Sequence, residues 1–312
     1  MDDRETVSVM DAVAENPNAD LMRSAAIASL AVSVFLVLIK ALAYYGSHSV
    51  AVLASLTDSG LDLFTSTLNV IAIRSALTPA DAEHRFGHGK AEPLAGLAQG
   101  AFIAGSASFL IVQAIGRFIS PEPVEQGSIA LIVMLISVAG AAGLAMYQRH
   151  VVKQTGSVAI NADNMHYWGD VATNAGVILA LILAAGFKME MADPIIALIV
   201  AGVLIWSAWG VFRQSYDQLM DRELPDDARD NIRAVVMRHP EVRNLHDLRT
   251  RAAGVHTFIQ FHIELDPSIS LMRAHEVSDE VEHEICAAFP HAEVIIHQDP
   301  AGVEQPPALE RT

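Results

Sequence analysis

Six stretches of this chain are apolar over the length needed to cross a bilayer, and no other feature narrows its possible folds so far. About 20 helical residues suffice to span the hydrocarbon. The stretches run from about Ser24 to Tyr45, Val50 to Ile73, Leu94 to Gly116, Ser128 to Tyr147, Ser157 to Gly186 and Pro194 to Phe212. The last opens on proline, which is tolerated in a first helical turn because its missing N–H has no partner to lose there. The expectation is an all-α, six-helix transmembrane bundle over residues 24–220.

The composition agrees with a membrane protein. Of 312 residues, 52% are hydrophobic, and the mean hydropathy of +0.34 is high for a soluble chain of this length. A formal net charge of −16 excludes nucleic acid as a natural partner. The single cysteine, Cys286, rules out an intrachain disulfide. Residues 1–23 are polar and acidic, without the basic start and apolar core of a signal peptide, and read as a flexible cytoplasmic arm. Short-loop charges set the orientation. Arg74, Arg85 and Lys90 lie between the second and third spans, and Arg149 and Lys153 between the fourth and fifth. The alternate connections carry only Arg117 and Lys188, so both termini are expected in the cytoplasm.

Beyond about Asp221 charged residues become frequent and no further spanning run appears. "PDDARDNIRAVVMRH" has Ile232, Val235 and Val236 on one helical face. "NLHDLRTRAAG" and "VHTFIQFHIELD" read as two strands about a Gly254 turn, the second with Ile259, Phe261, Ile263 and Leu265 alternating towards a core. A second helix, "SLMRAHEVSDEVEHEICAAF", precedes a strand, "AEVIIHQD". The order αββαβ predicts a small cytoplasmic α+β domain over 221–300, with its helices on one face of a sheet. Residues 301–312 read as a flexible tail.

Within the second span, Asp58 and Asp62 are four residues apart, and in the fifth His166 and Asp170 repeat the spacing. Residues four apart share a helix face. An isolated carboxylate at membrane depth costs roughly 2.5–3.5 kcal/mol on insertion scales, so such residues serve a purpose. If the two antiparallel helices pack together, three carboxylates and one imidazole converge into a nitrogen-and-oxygen set suited to tetrahedral Zn²⁺. The bland alternative is a polar bundle interior, with the carboxylates paired to one another or to Lys40. Asp163 fits an entrance or a helix end, and Lys40 only a pairing role.

"DSGLD", "HRFGHGKAEPLAGLAQ", "HYWGD", "DLRTR", "FIQFHIELD" and "VIIHQDP" closely resemble the cation diffusion facilitator family, in its bacterial FieF/YiiP branch, from about Ser24 to Pro300. The resemblance implies proton-coupled export of divalent metals by a homodimer with a ferredoxin-like cytoplasmic domain, in a bacterial inner membrane. It implies that Asp58, Asp62, His166 and Asp170 form the transport site, in a pattern similar to members that carry Zn²⁺ and Cd²⁺, with H⁺ as counter-ion. It places an interfacial metal site at Asp81, His84 and His88, which read alone are ordinary polar loop residues. It implies a binuclear cytoplasmic site of His246, His262, His275, His297 and a bridging Asp299, where the residue pattern alone also allows a histidine-rich surface. Lys90 and Asp221 resemble a charge interlock near the dimer interface. Eight of the thirteen histidines follow Pro225. Of these, His239, His256, His283 and His291 match no ligand position and read as surface.

Two other cargoes or roles compete: Fe²⁺, Co²⁺ or Ni²⁺ exported by the same machinery, or a membrane-bound metal sensor that moves nothing. An enzyme is not expected. A zinc peptidase needs H-E-x-x-H, and "HEVSD" and "HEICA" lack the second histidine.

Overall fold

The computed structural model describes residues 17–48, 50–119, 128–187 and 191–303. The acidic arm as far as residue 16, and the tail from 304, lie outside the described residues. The chain divides into two compact units, Met1–Tyr216 and Asp217–Thr312.

Among the described residues, six long helices build the first unit, the last running three residues past its boundary: α1 (Pro17–Ser47), α2 (Val50–Ala76), α3 (Ala91–Ile119), α4 (Ser128–Thr155), α5 (Val158–Phe187) and α6 (Ala192–Leu219). Among the described residues, four segments are long and apolar enough to cross a membrane: Asn18–Gly46, Ala91–Ile119, Leu131–Thr155 and Ala192–Leu219. Helices α2 and α5, of 27 and 30 residues, match these in length and carry the paired ionisable residues. Large apolar side chains such as Phe35, Leu42, Phe109, Ile182 and Trp206 point outwards, which is the surface a lipid-facing helix presents.

Small residues line the interior, where Ala25, Ala26, Ala107, Ala141 and Ala145 are buried and let helix backbones approach. Helix α1 packs on α2 and α4, α5 on α4 and α3, and α2 on α3. Helix α4 continues to Thr155, beyond the apolar run that ends near Tyr147. Gly156, at φ +66°, stops it in the left-handed conformation usual just past a helix end. Only Gly156 and Ser157 then separate α4 from α5.

The second unit has the order α7 (Asp226–Val236), β1 (Asn244–Ala253), β2 (His256–Leu265), α8 (Leu271–Ala288), β3 (Ala292–Pro300). Strand β2 is central, antiparallel to β1 and parallel to β3. Gly254, at φ +62°, is the first of two residues joining β1 to β2, a conformation glycine adopts without steric cost. Ile232, Val235 and Val236 of α7 meet Ala274, Val277, Val281 and Ile285 of α8 over Leu245, Ile259, Phe261, Ile263 and Leu265 of the sheet. The opposite face of β2 is not uniformly polar. Phe258 is buried there, with the Arg251 guanidinium 4.3 Å from its ring centre.

Ser270 caps α8 by accepting the Arg273 N–H. Arg273 then joins Glu241, Glu276 and Glu280. Hydrogen bonding from Arg273 holds the Glu241 carboxyl below its ordinary value, and bonds from His239 and then Arg273 do the same for Glu280.

Candidate metal centres

Three clusters of ligand-type side chains occur among the described residues, each placed by a different local device. The first lies between α2 and α5. His166 Nε2 is 3.0 Å from Asp62 Oδ1 and 3.8 Å from Asp170 Oδ2. One ligand atom from each of the three lies within 4.8 Å of the others. Their side chains are 16%, 12% and 33% exposed for Asp62, His166 and Asp170, so the cluster is shielded yet reachable. The structure brings three of the four expected residues together. Asp58 is exposed and lies one turn away from Asp62 along α2, outside that trio.

What holds α2 and α5 in rotation about each other was not foreseen. Tyr167 Oη lies 2.7 Å from Ser33 Oγ and 3.2 Å from Ser66 Oγ, and Ser66 Oγ lies 2.9 Å from both Ser29 and Ser33. This buried knot ties α1, α2 and α5 together directly behind His166, whose ring meets that of Tyr167 edge-on at 5.6 Å. Its signal in the sequence is Ser29 and Ser33 at four-residue spacing in an otherwise apolar run. Asp163 is not at an entrance or a helix end. It is fully buried, its Oδ2 accepting from Gln148 Nε2 at 2.6 Å. Lys40 is buried too, and donates to Ser59 Oγ at 2.6 Å and to the Ser55 carbonyl at 3.2 Å.

The second cluster occupies the loop between α2 and α3. Asp81 Oδ1 accepts the N–H groups of His84 at 2.6 Å and Glu83 at 2.9 Å, a side-chain turn that folds the loop back on itself. These bonds, the His84 one foremost, keep the Asp81 carboxyl below the usual carboxylate range. His84 Nδ1 then lies 3.4 Å from Asp81 Oδ1, and His88 Nε2 3.5 Å from Asp81 Oδ2. His88 Nδ1 is 3.3 Å from the Thr78 carbonyl. A carbonyl can only accept, so Nδ1 is the donor in that contact, and Nε2 is the ring nitrogen turned towards Asp81. All three expected residues are brought together.

The third cluster follows from strand register. His246, His262 and His297 are directly opposite one another across β1, β2 and β3. Ring centres are 5.0 Å and 4.6 Å apart along this ladder. Asp299, two residues along β3, places Oδ2 2.8 Å from His262 Nδ1 and 3.3 Å from His246 Nε2, and Oδ1 3.2 Å from His297 Nε2. His246 Nε2 is buried and makes no hydrogen bond despite that approach. A nitrogen facing a carboxylate oxygen without sharing a proton suits a cation between them. The donor set of imidazoles and a two-sided carboxylate fits a divalent transition metal.

His275 stands apart, exposed on α8 and paired with Asp279 at 3.5 Å. Asp247 was not expected. It occupies an irregularity in β1 between His246 and Arg249, at φ +48°, with its carboxylate 3.9 Å from His262. His239 is not a surface residue. It is buried, with Nδ1 accepting the Glu241 N–H at 3.3 Å and Nε2 donating to Glu280 at 2.9 Å, so both nitrogens are committed. Asp221 is held by Arg251 at 3.4 Å.

Comparison with known proteins matches residues 26–220 to the cation efflux transmembrane domain and residues 224–301 to the cytoplasmic domain of cation efflux proteins. This chain belongs to the cation diffusion facilitator family. Its relatives include the cation-efflux pump FieF of Shewanella oneidensis, 44% identical over 89% of this chain and 93% of that one. FieF of Klebsiella pneumoniae is 42% identical over 91% and 94%, and FieF of Escherichia fergusonii 43% identical over 91% and 94%. This facilitator is therefore a membrane transporter of the cation-efflux kind, not an enzyme.

Proposed function

We propose that this facilitator exports divalent transition-metal cations, Zn²⁺ foremost and Cd²⁺ with it, from the cytoplasm in exchange for protons. The observation that carries the reading is the trio of Asp62, His166 and Asp170 within 4.8 Å of one another, on two helices that belong to the membrane unit. Asp58, one turn along the same face of α2, completes the transport site when the helices close on a cation. Three carboxylates left together in low dielectric repel one another, and a dication removes that repulsion.

Metal needs a neutral imidazole and ionised carboxylates, so protons and metal compete for the same atoms. Facing the cytoplasm, the site takes up metal and gives up protons. Facing outwards, protons return and the metal leaves. Movement of α2 and α5 against the rest of the bundle provides the alternation.

Counting α2 and α5 with the four apolar helices gives six spans. The loop charges put both termini in the cytoplasm of a bacterial inner membrane. The chain works as a homodimer, with Lys90 and Asp221 contributing a charge interlock near the interface. Asp81, His84 and His88 hold an interfacial metal, and His246, His262, His297 and Asp299, with His275, hold metal in the ferredoxin-like cytoplasmic domain. These resident ions fix loop and domain shape.

The test is zinc-driven proton flux across sealed proteoliposomes containing the purified protein. Flux is expected in the native protein and is expected to vanish in Asp62→Ala, which should still bind zinc at its cytoplasmic histidines. Flux in the variant at the native rate overturns the transport site. Zinc binding without flux in the native protein favours a sensor. Flux with Fe²⁺, Co²⁺ or Ni²⁺ in preference to Zn²⁺ changes the cargo and leaves the mechanism standing.

A further inference from the structure

Glu92 was not singled out from the sequence, yet it is 1% exposed in the first turn of α3. Its Oε1 accepts the Ser157 hydroxyl proton and, at 3.3 Å, the N–H of Ala159. Ser157 Oγ in turn accepts the Ile160 N–H at 3.2 Å. The first N–H groups of a helix have no partner within it, and a negative charge there is favoured by the helix dipole. One carboxylate of α3 thus closes off the start of α5, directly and through a serine.

Two further features make this contact a mechanical joint. Gly96, one turn along α3, lies so close to its neighbours that an added Cβ would stand 2.4 Å from Ser215 Oγ and 3.0 Å from Val158 Cγ1. Helices α3, α5 and α6 therefore make a close approach at this level. On the other side, the start of α3 hangs from the loop cluster. The Ala91 N–H donates to the His88 carbonyl at 2.9 Å, and the Glu92 N–H to that of Gly89 at 3.2 Å. His88 is one turn from Glu92, and His166 lies about 14 Å along α5 from Ser157.

We propose that Glu92 is a positioning residue that transmits the state of the Asp81–His84–His88 loop to α5, and so to His166 and Asp170. A cation drawn in by the loop cluster fixes the residues from which α3 starts. Glu92 carries that placement into the first turn of α5, which is rigid along its length to the transport ligands. The inference rests on the transport reading above.

The experiment is a double-mutant cycle on zinc transport in proteoliposomes, with zinc alone as the probe. The variants are Asp81→Ala, Glu92→Ala and the pair, with Asp62→Ala as a separate control for the transport site. Asp81→Ala and Glu92→Ala are each expected to lower the maximal rate about tenfold, and the pair no further than the worse single variant. Ser157→Ala, which removes the same joint from the α5 side, should behave as Glu92→Ala and should carry the comparison if Glu92→Ala is not recovered monodisperse. Glu92→Gln keeps the accepting oxygen and should retain at least a third of the native rate.

Multiplying effects in the double variant overturn the proposal. So does a native rate in Asp81→Ala, or in both Glu92→Ala and Ser157→Ala. Native flux in Asp62→Ala is a different failure: it removes the transport site itself, whatever the cycle gives.

Discussion

His166 stands between two carboxylates, at 3.0 Å from Asp62 and 3.8 Å from Asp170. A nitrogen donor among oxygens favours Zn²⁺ and its borderline neighbours over hard ions such as Mn²⁺ and Mg²⁺. His166→Asp is expected to lower the ratio of zinc to manganese transport at least tenfold in a competitive proteoliposome assay. An unchanged ratio would remove the imidazole from cargo choice. Candidate donors of this kind are legible at the level of single residues, because donor chemistry belongs to the side chain wherever the fold puts it. Supporting contacts are less legible. Gln148 reaching Asp163, or His239 spending both nitrogens on Glu241 and Glu280, depends on which way a helix face or a turn is rotated. Nothing in the local sequence specifies that rotation.

Helices and strands impose their own spacing on chemistry. The four-residue interval in Asp58/Asp62 and in His166/Asp170 reads directly as one face of a helix, and the structure keeps the second pair beside Asp62. The facing of α2 to α5 rests on the Ser29–Ser33–Ser66–Tyr167 knot, a long-range arrangement that no window of sequence contains. Close packing at Gly96 gives a test at this scale. Gly96→Ala forces a methyl group onto Ser215 Oγ and Val158, and overpacking of this sort costs about 1–3 kcal/mol. The melting temperature of the protein in detergent should fall by several degrees. Adding Ser215→Ala removes the tightest contact and should restore part of the loss. No change in Gly96→Ala would mean that α3 and α6 are not held as closely as described.

At the scale of the whole molecule, the two compact units carry different clusters. Residues up to Tyr216 carry the helices and the ligand-type cluster between α2 and α5, and residues from Asp217 carry a histidine-rich sheet. The composition changes near Asp221, because lipid and water demand different surfaces, and the two compact units divide between Tyr216 and Asp217. His275, alone on α8 with Asp279, shows where chain pattern and a single folded chain part company. Metal that binds only the folded sheet stabilises it by mass action, about 2.7 kcal/mol at a hundredfold excess over the dissociation constant. Stripping the full chain with a chelator should therefore lower a thermal transition by several degrees, and zinc should restore it in the native protein but not in His262→Ala. Equal transitions with and without chelator would argue against a resident ion in the sheet.

The ladder of His246, His262 and His297 has a consequence for how such a chain can change in length. Its geometry is written in strand pairing, so the turns flanking α8 can gain or lose residues without disturbing it, while α8 itself is held by its buried face against the sheet. One residue inserted between Thr257 and His262, by contrast, would turn that imidazole from the open face to the packed one. Length variants of this domain should thus accumulate in the turns at 266–270 and 289–291, and be purged from the interior of α8 and the heart of β2.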